Sequence, residues 1–280
     1  MRLVFLGSPE AAVPPLRALV EAGHDVALVV TQPDRRRGRG AALLPTPVKA
    51  AALELGLPVT DRVDDVLDAG ADLGVVVAYG RLVKPHVLDA LPMVNVHFSL
   101  LPRWRGAAPV ERAILAGDTE TGVCLMGLEV GLDTGPVYRR ARLDIGEDET
   151  AGELRGRLVE LGTGLLVDAL ATGLGDGEPQ TGEPTYAAKL DPEELCLDWS
   201  KPADELERIV RVGRAWTTFR GRRLKVLRAC AHRVGGKGLG APTGAGTLEL
   251  NEVQPEGRAP MAAAEWARGV RWQEGDRLGS

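Results

Sequence analysis

Cysteine and the common motifs of ligand binding are scarce in this sequence of 280 residues. The three cysteines, Cys124, Cys196 and Cys230, stand far apart, and they form neither a CxxC pair nor a set with histidine at ligand spacing. This pattern argues against a zinc site and against a disulfide framework. We therefore expect reduced thiols and no metal.

Long apolar runs are also missing. No segment approaches the roughly 20 consecutive apolar residues that span a bilayer, and Met1 leads directly into an apolar strand pattern rather than a signal peptide. The apolar fraction of 44% is ordinary for a globular protein. We expect a cytoplasmic protein without a membrane segment, long enough for two domains.

Acidic residues disappear from one stretch of the chain. Residues 208–237 contain ten Lys or Arg and no Asp or Glu. A surface of one sign concentrates polyanions such as nucleic acid if the charges share a face. The same charges could simply solubilise a β-rich domain, and composition leaves the two interpretations about even.

The amino-terminal part has the pattern of a doubly wound α/β domain. Residues 2–7 predict a buried strand, residues 8–23 a helix with Ser8 as N-cap, and residues 24–31 a second strand. Buried strands follow at residues 71–80 and from Val94. The turn after the first strand is not a GxGxxG motif, so a dinucleotide site is unsupported.

The amino-acid composition of the sequence changes after residue 173. A segment rich in Gly, Pro, Glu and Asp precedes a short helix and a β-hairpin centred on Gly221. We predict a catalytic domain at residues 1–189, a linker at 190–206 and a smaller β-domain at 207–280.

A loop rich in arginine occupies residues 31–47, which lack hydrophobic periodicity. It carries four arginines among glycines and prolines: Arg35, Arg36, Arg37 and Arg39. A long mobile loop of this kind suits phosphate binding, although a merely solvated loop is an equal alternative.

The candidate chemistry lies at the end of the strand that begins at Val94. Asn95 and His97 share one face of that strand, and Asp133 follows in the turn GLDTG. An amide donor, a histidine that titrates near neutrality and an orienting carboxylate are the groups an acyl transfer needs. No G-x-S-x-G motif is present, which favours direct attack of one substrate on another. Each residue alone is more often structural.

Four segments together resemble the methionyl-tRNA formyltransferase family, whose members use 10-formyltetrahydrofolate. They are VFLGSPEAAVP, TQPDRRRGRG, NVHFSLLPRWRGAAP and VGLDTGPV, in this order and spacing. The resemblance implies a Rossmann-like formyltransferase domain and a smaller carboxy-terminal OB-like β-barrel. Few residues separate GTLEL from QPEGRAPM, so we expect the barrel to be abbreviated or closed along another edge.

The resemblance also implies roles for particular residues. The family's catalytic residues fall on Asn95, His97 and Asp133, and its folate-binding segment falls on Ser99, Leu100, Leu101 and Pro102. Arg39 matches a position that contacts tRNA. We extend the tRNA-binding prediction to Arg35, Arg36, Arg37, Arg220, Arg222, Arg223 and Lys225.

The implied reaction moves the formyl group of 10-formyltetrahydrofolate to the α-amine of methionyl-initiator-tRNA. We expect no metal and a monomeric protein. Alternatives that share the three catalytic residues are a formyltransferase acting on a nucleotide-sugar or other small amine, and a 10-formyltetrahydrofolate hydrolase. A non-catalytic RNA-binding protein is a further alternative, against which the intact catalytic set argues.

Overall fold

The computed structural model describes residues 1–36, 43–231, 238–273 and 275–280. Its strands are β1 (Arg2–Gly7), β2 (Asp25–Val30), β3 (Arg35–Arg36), β4 (Leu43–Leu44), β5 (Val59–Thr60), β6 (Leu73–Val77), β7 (Met93–His97), β8 (Arg105–Gly106), β9 (Glu120–Gly127), β10 (Val137–Asp144), β11 (Tyr186–Ala187), β12 (Trp216–Phe219), β13 (Arg222–Cys230), β14 (Leu239–Pro242), β15 (Thr247–Pro255) and β16 (Met261–Ala262).

The α-helices are α1 (Val13–Glu21), α2 (Pro47–Glu54), α3 (Pro85–Ala90), α4 (Pro109–Ala116), α5 (Ala151–Thr172), α6 (Ala203–Val212) and α7 (Ala263–Gly269). Short 3₁₀ turns cover Glu10–Ala12, Val63–Asp68 and Pro192–Leu195. Among the described residues, no helix combines the length and the apolar character that crossing a membrane requires.

The chain folds as two compact units. The first comprises Met1–Pro109, Glu120–Asp144 and Arg155–Ala188, and the second comprises Val110–Thr119, Ile145–Leu154 and Lys189–Ser280. Residues 190–206, which we predicted as a linker, include Leu195 and Leu197, both buried in the core of the second unit. The domain boundaries at 189 and 207 stay a prediction.

A seven-stranded sheet organises the first unit, in the order β10-β9-β7-β6-β1-β2-β5. The five strands from β7 to β5 are parallel, and β9 and β10 add an antiparallel edge. The apolar run Leu3–Leu6 of β1 is completely buried at the centre, as expected for a strand covered on both faces. The predicted doubly wound α/β fold is confirmed. The direction of winding reverses beside β1, and such a point gathers loops into a crevice at the carboxyl ends of the strands.

The prediction that Ser8 caps the first helix is wrong. α1 begins at Val13, with Pro14 and Pro15 in its first turn, after a 3₁₀ turn at Glu10–Ala12. Ser8 Oγ instead accepts a hydrogen bond from the Gln32 amide at 3.1 Å. A tertiary contact between two loops therefore uses the hydroxyl that the sequence pattern assigned to a cap.

The second unit is built on a five-stranded antiparallel sheet. β12, β13, β15 and β14 follow one another across it, and β16 pairs with β15. The hairpin around Gly221 joins β12 to β13, and the φ of this glycine is +70°, a left-handed value that a tight turn requires. Helix α6 supplies the completely buried Leu206 to the core.

β15 explains the short spacing in the carboxy-terminal part of the sequence. Residues 246–250 and 254–261 are not two separate strands with a missing pair between them. A single strand, Thr247–Pro255, runs from the first segment into the start of the second, and a turn then brings Met261–Ala262 back against its second half.

Candidate active site

A crevice of about 410 Å³ opens where β6 and β7 end. One wall is the segment after β6, another is the loop after β9, and Asn95 and His97 of β7 form part of the floor. Parallel strands deliver their terminal side chains to one edge of the sheet, so this position follows from the topology. The crevice is lined by Val76, Ala78, Tyr79, Gly80, Arg81, Leu82, Val83, Asn95, Val96, His97, Phe98, Gly106, Ala107, Pro109, Leu128, Glu129, Val130, Gly131, Leu132 and Asp133.

His97 is the last residue of β7, and its side chain is only 5% exposed. Its Nε2 atom lies 2.9 Å from the carbonyl oxygen of Trp104. A carbonyl oxygen only accepts, so Nε2 must carry the proton and donate. In the neutral imidazole, Nδ1 is then the atom that can take a proton.

Asp133 lies on the other side of the imidazole. Its Oδ2 atom is 3.7 Å from Nδ1 of His97 and accepts a hydrogen bond from the Gly106 amide at 2.8 Å. The carboxylate is thus fixed by a backbone donor and is close enough to His97 to stabilise an imidazolium. The structure brings the predicted pair together although 36 positions separate them in the sequence.

Asn95 faces the same crevice from the middle of β7. Within the described part of the chain, no hydrogen-bond partner is found for its side-chain amide, which is partly exposed. A carboxamide offers two N–H donors without changing charge. Its donors are therefore available to a ligand oxygen in the crevice.

The predicted folate-binding segment lies deeper than expected. Ser99 is completely buried and donates to the Arg103 carbonyl at 2.6 Å, and Leu101 packs in a core cluster with Cys124, Met126 and Val137. None of the four predicted residues is among those that line the crevice. Direct contact between this segment and folate stays a prediction.

The predicted tRNA-binding residues fall into different classes. Arg35 and Arg36 form β3, whereas Arg37 and Arg39 lie outside the described residues. Arg220 is held by Asp276 at 2.9 Å, and Arg222 is exposed.

Arg223 and Lys225 share a face of β13 and line a cavity of about 460 Å³ in the second unit. Arg214 and Arg258 line the same cavity, and we call these four residues the basic face. The Arg223 guanidinium lies 4.1 Å from the centre of the Trp216 ring. Across the described residues, no ion pair joins a member of the basic face to a carboxylate.

Several groups that line the crevice or hold the His97–Asp133 pair in place were not predicted from the sequence. The Trp104 carbonyl and the Gly106 amide are backbone groups, which no residue pattern reveals. Tyr79 lines the crevice wall, and burial raises the pKa of its hydroxyl. Gln180 donates to the Asp133 carbonyl at 2.8 Å from a segment with no chemical motif.

One group of potential metal ligands occurs in the described residues, and it lies in the second unit. Ligand atoms of Asp148, Glu207 and Cys230 are within 4.8 Å of one another. Arg211 adjoins this group, and burial lowers the pKa of its guanidinium while Glu207 and Asp148 oppose that shift. The two carboxylates thus have a cation beside them.

Comparison with known proteins identifies the family. The family model described as formyl transferase matches residues 1–170, and the one described as formyl transferase, C-terminal domain, matches residues 189–271. A methionyl-tRNA formyltransferase of Heliobacterium modesticaldum is 43% identical over 316 aligned residues, which cover 100% of this chain and 100% of the relative.

Solved structures agree on the fold. A methionyl-tRNA formyltransferase from Clostridium thermocellum superposes with a TM-score of 0.66 at 16% identity, covering 91% of this chain and 98% of that one. HypX from Aquifex aeolicus, solved in complex with tetrahydrofolic acid, superposes with a TM-score of 0.68 at 16% identity, covering 95% of this chain and 47% of HypX. The chain therefore belongs to the formyl transferase family, and it is similar over its full length to a methionyl-tRNA formyltransferase.

Proposed function

We propose that this enzyme transfers the formyl group of 10-formyltetrahydrofolate to the α-amine of methionyl-initiator-tRNA. The observation that carries this proposal is that the Asn95 amide, which has no hydrogen-bond partner among the described residues, lies in one crevice with the His97–Asp133 pair. Full-length similarity to methionyl-tRNA formyltransferases supports the choice of acceptor, and the tetrahydrofolic acid bound to HypX supports the choice of donor.

The reaction requires the protein to stabilise negative charge and to transfer a proton. When the amine nitrogen attacks the formyl carbon, negative charge develops on the formyl oxygen, and preorganised donors aimed at that oxygen lower the barrier. The Asn95 amide is one donor, and His97 supplies positive charge once it is protonated. Because the side chains of His97 and Asp133 are only 5% and 12% exposed, these contributions are larger than in solution.

The second requirement is proton transfer. The attacking amine must lose a proton as the new C–N bond forms, and the leaving nitrogen of the folate must gain one as the old bond breaks. Nδ1 of His97 and the Asp133 carboxylate face each other across 3.7 Å, and both can accept a proton. We infer that they take the proton from the amine and return it to the leaving nitrogen.

The donor folate is proposed to occupy the crevice between the segment after β6 and the loop after β9. The crevice combines apolar walls such as Val83 and Leu128 with the catalytic polar groups, which is the usual character of a small-molecule site. Ser99, Leu100, Leu101 and Pro102 would support this site from beneath, since Ser99 and Leu101 are buried.

The tRNA is proposed to bind through phosphate contacts. The basic face offers four cations without ion pairs among the described residues, and unpaired cations bind phosphates without first breaking a salt bridge. The proposal also includes Arg222 and four arginines of the amino-terminal part, Arg35, Arg36, Arg37 and Arg39. Arg220 is its weakest member because Asp276 already pairs with it. We also propose that the enzyme is cytoplasmic and monomeric.

A transfer assay with competing acceptors tests the function. The purified protein receives 10-formyltetrahydrofolate with methionyl-initiator-tRNA, with free amines, with an amino-sugar nucleotide, or with no acceptor. We expect formyl-methionyl-tRNA as the dominant product, and we expect Asn95→Ala to abolish most of it. Preferred transfer to a small amine, or equal formate release without acceptor, would contradict the proposal.

A further inference from the structure

Two residues beside His97 have backbone conformations that residues with side chains rarely adopt. The φ angle is +62° at Trp104 and +51° at Asp133. Such left-handed residues are strained and persist only where neighbouring groups hold them. Trp104 provides the carbonyl that binds His97, and Asp133 provides the carboxylate. Both are hydrogen-bonded to residues 180–187, which we call the strap.

Gln180 holds the Asp133 loop. Its Nε2 atom donates to the carbonyl oxygens of Asp133 and Gly135, both at 2.8 Å. Its Oε1 atom accepts from Nε and Nη2 of Arg105, at 3.0 and 2.7 Å. Two donors and one carbonyl oxygen are the full capacity of a carboxamide, so each polar atom of Gln180 is engaged in joining two loops.

Thr185 holds the backbone that binds His97. The Trp104 amide donates to Thr185 Oγ1 at 2.9 Å, and the Arg105 amide donates to the Thr185 carbonyl at 2.9 Å. The Ala107 amide donates to the Ala187 carbonyl, so the strap continues along this segment. The peptide on either side of Trp104 is therefore fixed.

Gly106 packs so closely against the strap that a side chain at this position would not fit. At Gly106 the φ angle is +122°, and a Cβ atom there would lie 2.9 Å from the Ala187 carbonyl oxygen. The Gly106 amide is the donor that fixes Asp133. The carboxylate of Asp133 and the imidazole of His97 therefore both bind the backbone of the same short segment, residues 104–106.

We propose that Gln180 and Thr185 are positioning residues that set the distance and orientation between His97 and Asp133. Neither residue lines the crevice, so each acts through the catalytic pair rather than on a substrate. The kinetic part of this inference rests on the proposed formyl transfer. The strap sets the tautomer of His97 whatever the substrate is, because Nε2 keeps its proton as long as the Trp104 carbonyl stays in place.

Gln180→Glu separates the two contacts of Gln180. The carboxylate keeps both bonds from Arg105 but turns the donors toward Asp133 and Gly135 into acceptors that face two carbonyl oxygens. We expect kcat to fall by about 10- to 100-fold, because small displacements of catalytic groups cost about this much. KM for donor and acceptor is expected to stay within about threefold, since the crevice wall is unchanged.

Thr185→Val and Thr185→Ser form a matched pair. Valine has the shape of threonine but no acceptor for the Trp104 amide, whereas serine keeps the acceptor. In the free protein, ¹⁵N chemical shifts of His97 report which nitrogen carries the proton. We expect the Nε2–H tautomer in the unaltered protein and in Thr185→Ser, and a mixture of tautomers in Thr185→Val.

The experiments can distinguish a failure of the positioning role from a failure of the proposed function. If Gln180→Glu retains its kcat while folded, and Thr185→Val keeps the pure Nε2–H tautomer, the positioning role is overturned. If the unaltered protein does not formylate methionyl-tRNA, the function fails, but the His97 tautomer in the Thr185 pair still decides the role of the strap. Thermal melting of each variant accompanies both measurements, and a folded Thr185 pair decides the matter alone should Gln180→Glu not fold.

Discussion

The crevice of the first unit and the basic face of the second use charge in opposite ways. In the crevice, His97 and Asp133 are almost covered, and the backbone groups of Trp104 and Gly106 hold them. On the basic face, Arg223 and Lys225 are exposed and have no carboxylate partner in the described residues. Chemistry at one atom requires fixed geometry, whereas attraction of a polyanion requires charge that is still unpaired.

The largest expected effect comes from removing a fixed group of the crevice. His97→Ala and Asp133→Ala should each lower kcat by about 10³-fold, since a positioned acid or base contributes about 10²- to 10⁴-fold. Steady-state formylation of methionyl-tRNA measures this, with circular dichroism as the check on folding. A variant that stays folded with near-normal turnover would remove that residue from the mechanism.

A smaller effect is expected from the basic face. Arg223→Ala combined with Lys225→Ala should raise KM for tRNA by about tenfold and leave kcat unchanged, because phosphate contacts bind without taking part in the reaction. The slope of log affinity against log salt should fall by about 2, one for each lost phosphate contact.

Arg228 provides the matched control on the same strand. Its guanidinium is 3.9 Å from Glu252, so it is already paired. Arg228→Ala should change KM and the salt slope much less than the double variant does. If Arg228→Ala and the double variant had equal effects, the absence of an ion pair would not explain why the basic face binds tRNA.

The sequence predicted those features of the crevice and the basic face that follow from local patterns of apolar and charged residues. The continuous apolar runs of β1 and β6 predicted two buried strands of the sheet. Asn95 and His97 were identified because alternate residues of a strand share a face. The run without acidic residues marked the second unit, but it could not separate Arg220 from Arg223. That difference depends on Asp276, which the fold brings to Arg220 from 56 positions away.

The remaining features depend on contacts that no local pattern encodes. Ser8 stands where a helix cap is expected, yet its hydroxyl binds the Gln32 amide of another loop. The Trp104 carbonyl and Gly106 amide take part through the backbone, which is the same in every residue type except proline. Gln180 had no motif around it, because its role arises only where two loops meet.

The smallest expected effect concerns a buried cysteine on β9, the strand that pairs with β7. Cys124 lies opposite His97 in the register of β7 and β9, it is completely buried, and burial raises the pKa of its thiol. It should therefore stay protonated and unreactive toward a thiol reagent at pH 8 in the native protein. Mass spectrometry of labelled peptides, with the denatured protein as control, checks this. Rapid native labelling of Cys124 would show that the core around β9 opens to solvent.

The central claim is that the side-chain amide of Asn95 stabilises the developing oxyanion. Asn95→Asp keeps the size of the side chain but replaces both donors with a negative charge, and the single-turnover rate of formyl transfer at saturating substrates isolates the chemical step. We predict a fall of about 10³-fold with little change in donor affinity, somewhat beyond what the loss of one oxyanion donor costs, because repulsion is added. A rate within about threefold of the unaltered enzyme would contradict the account.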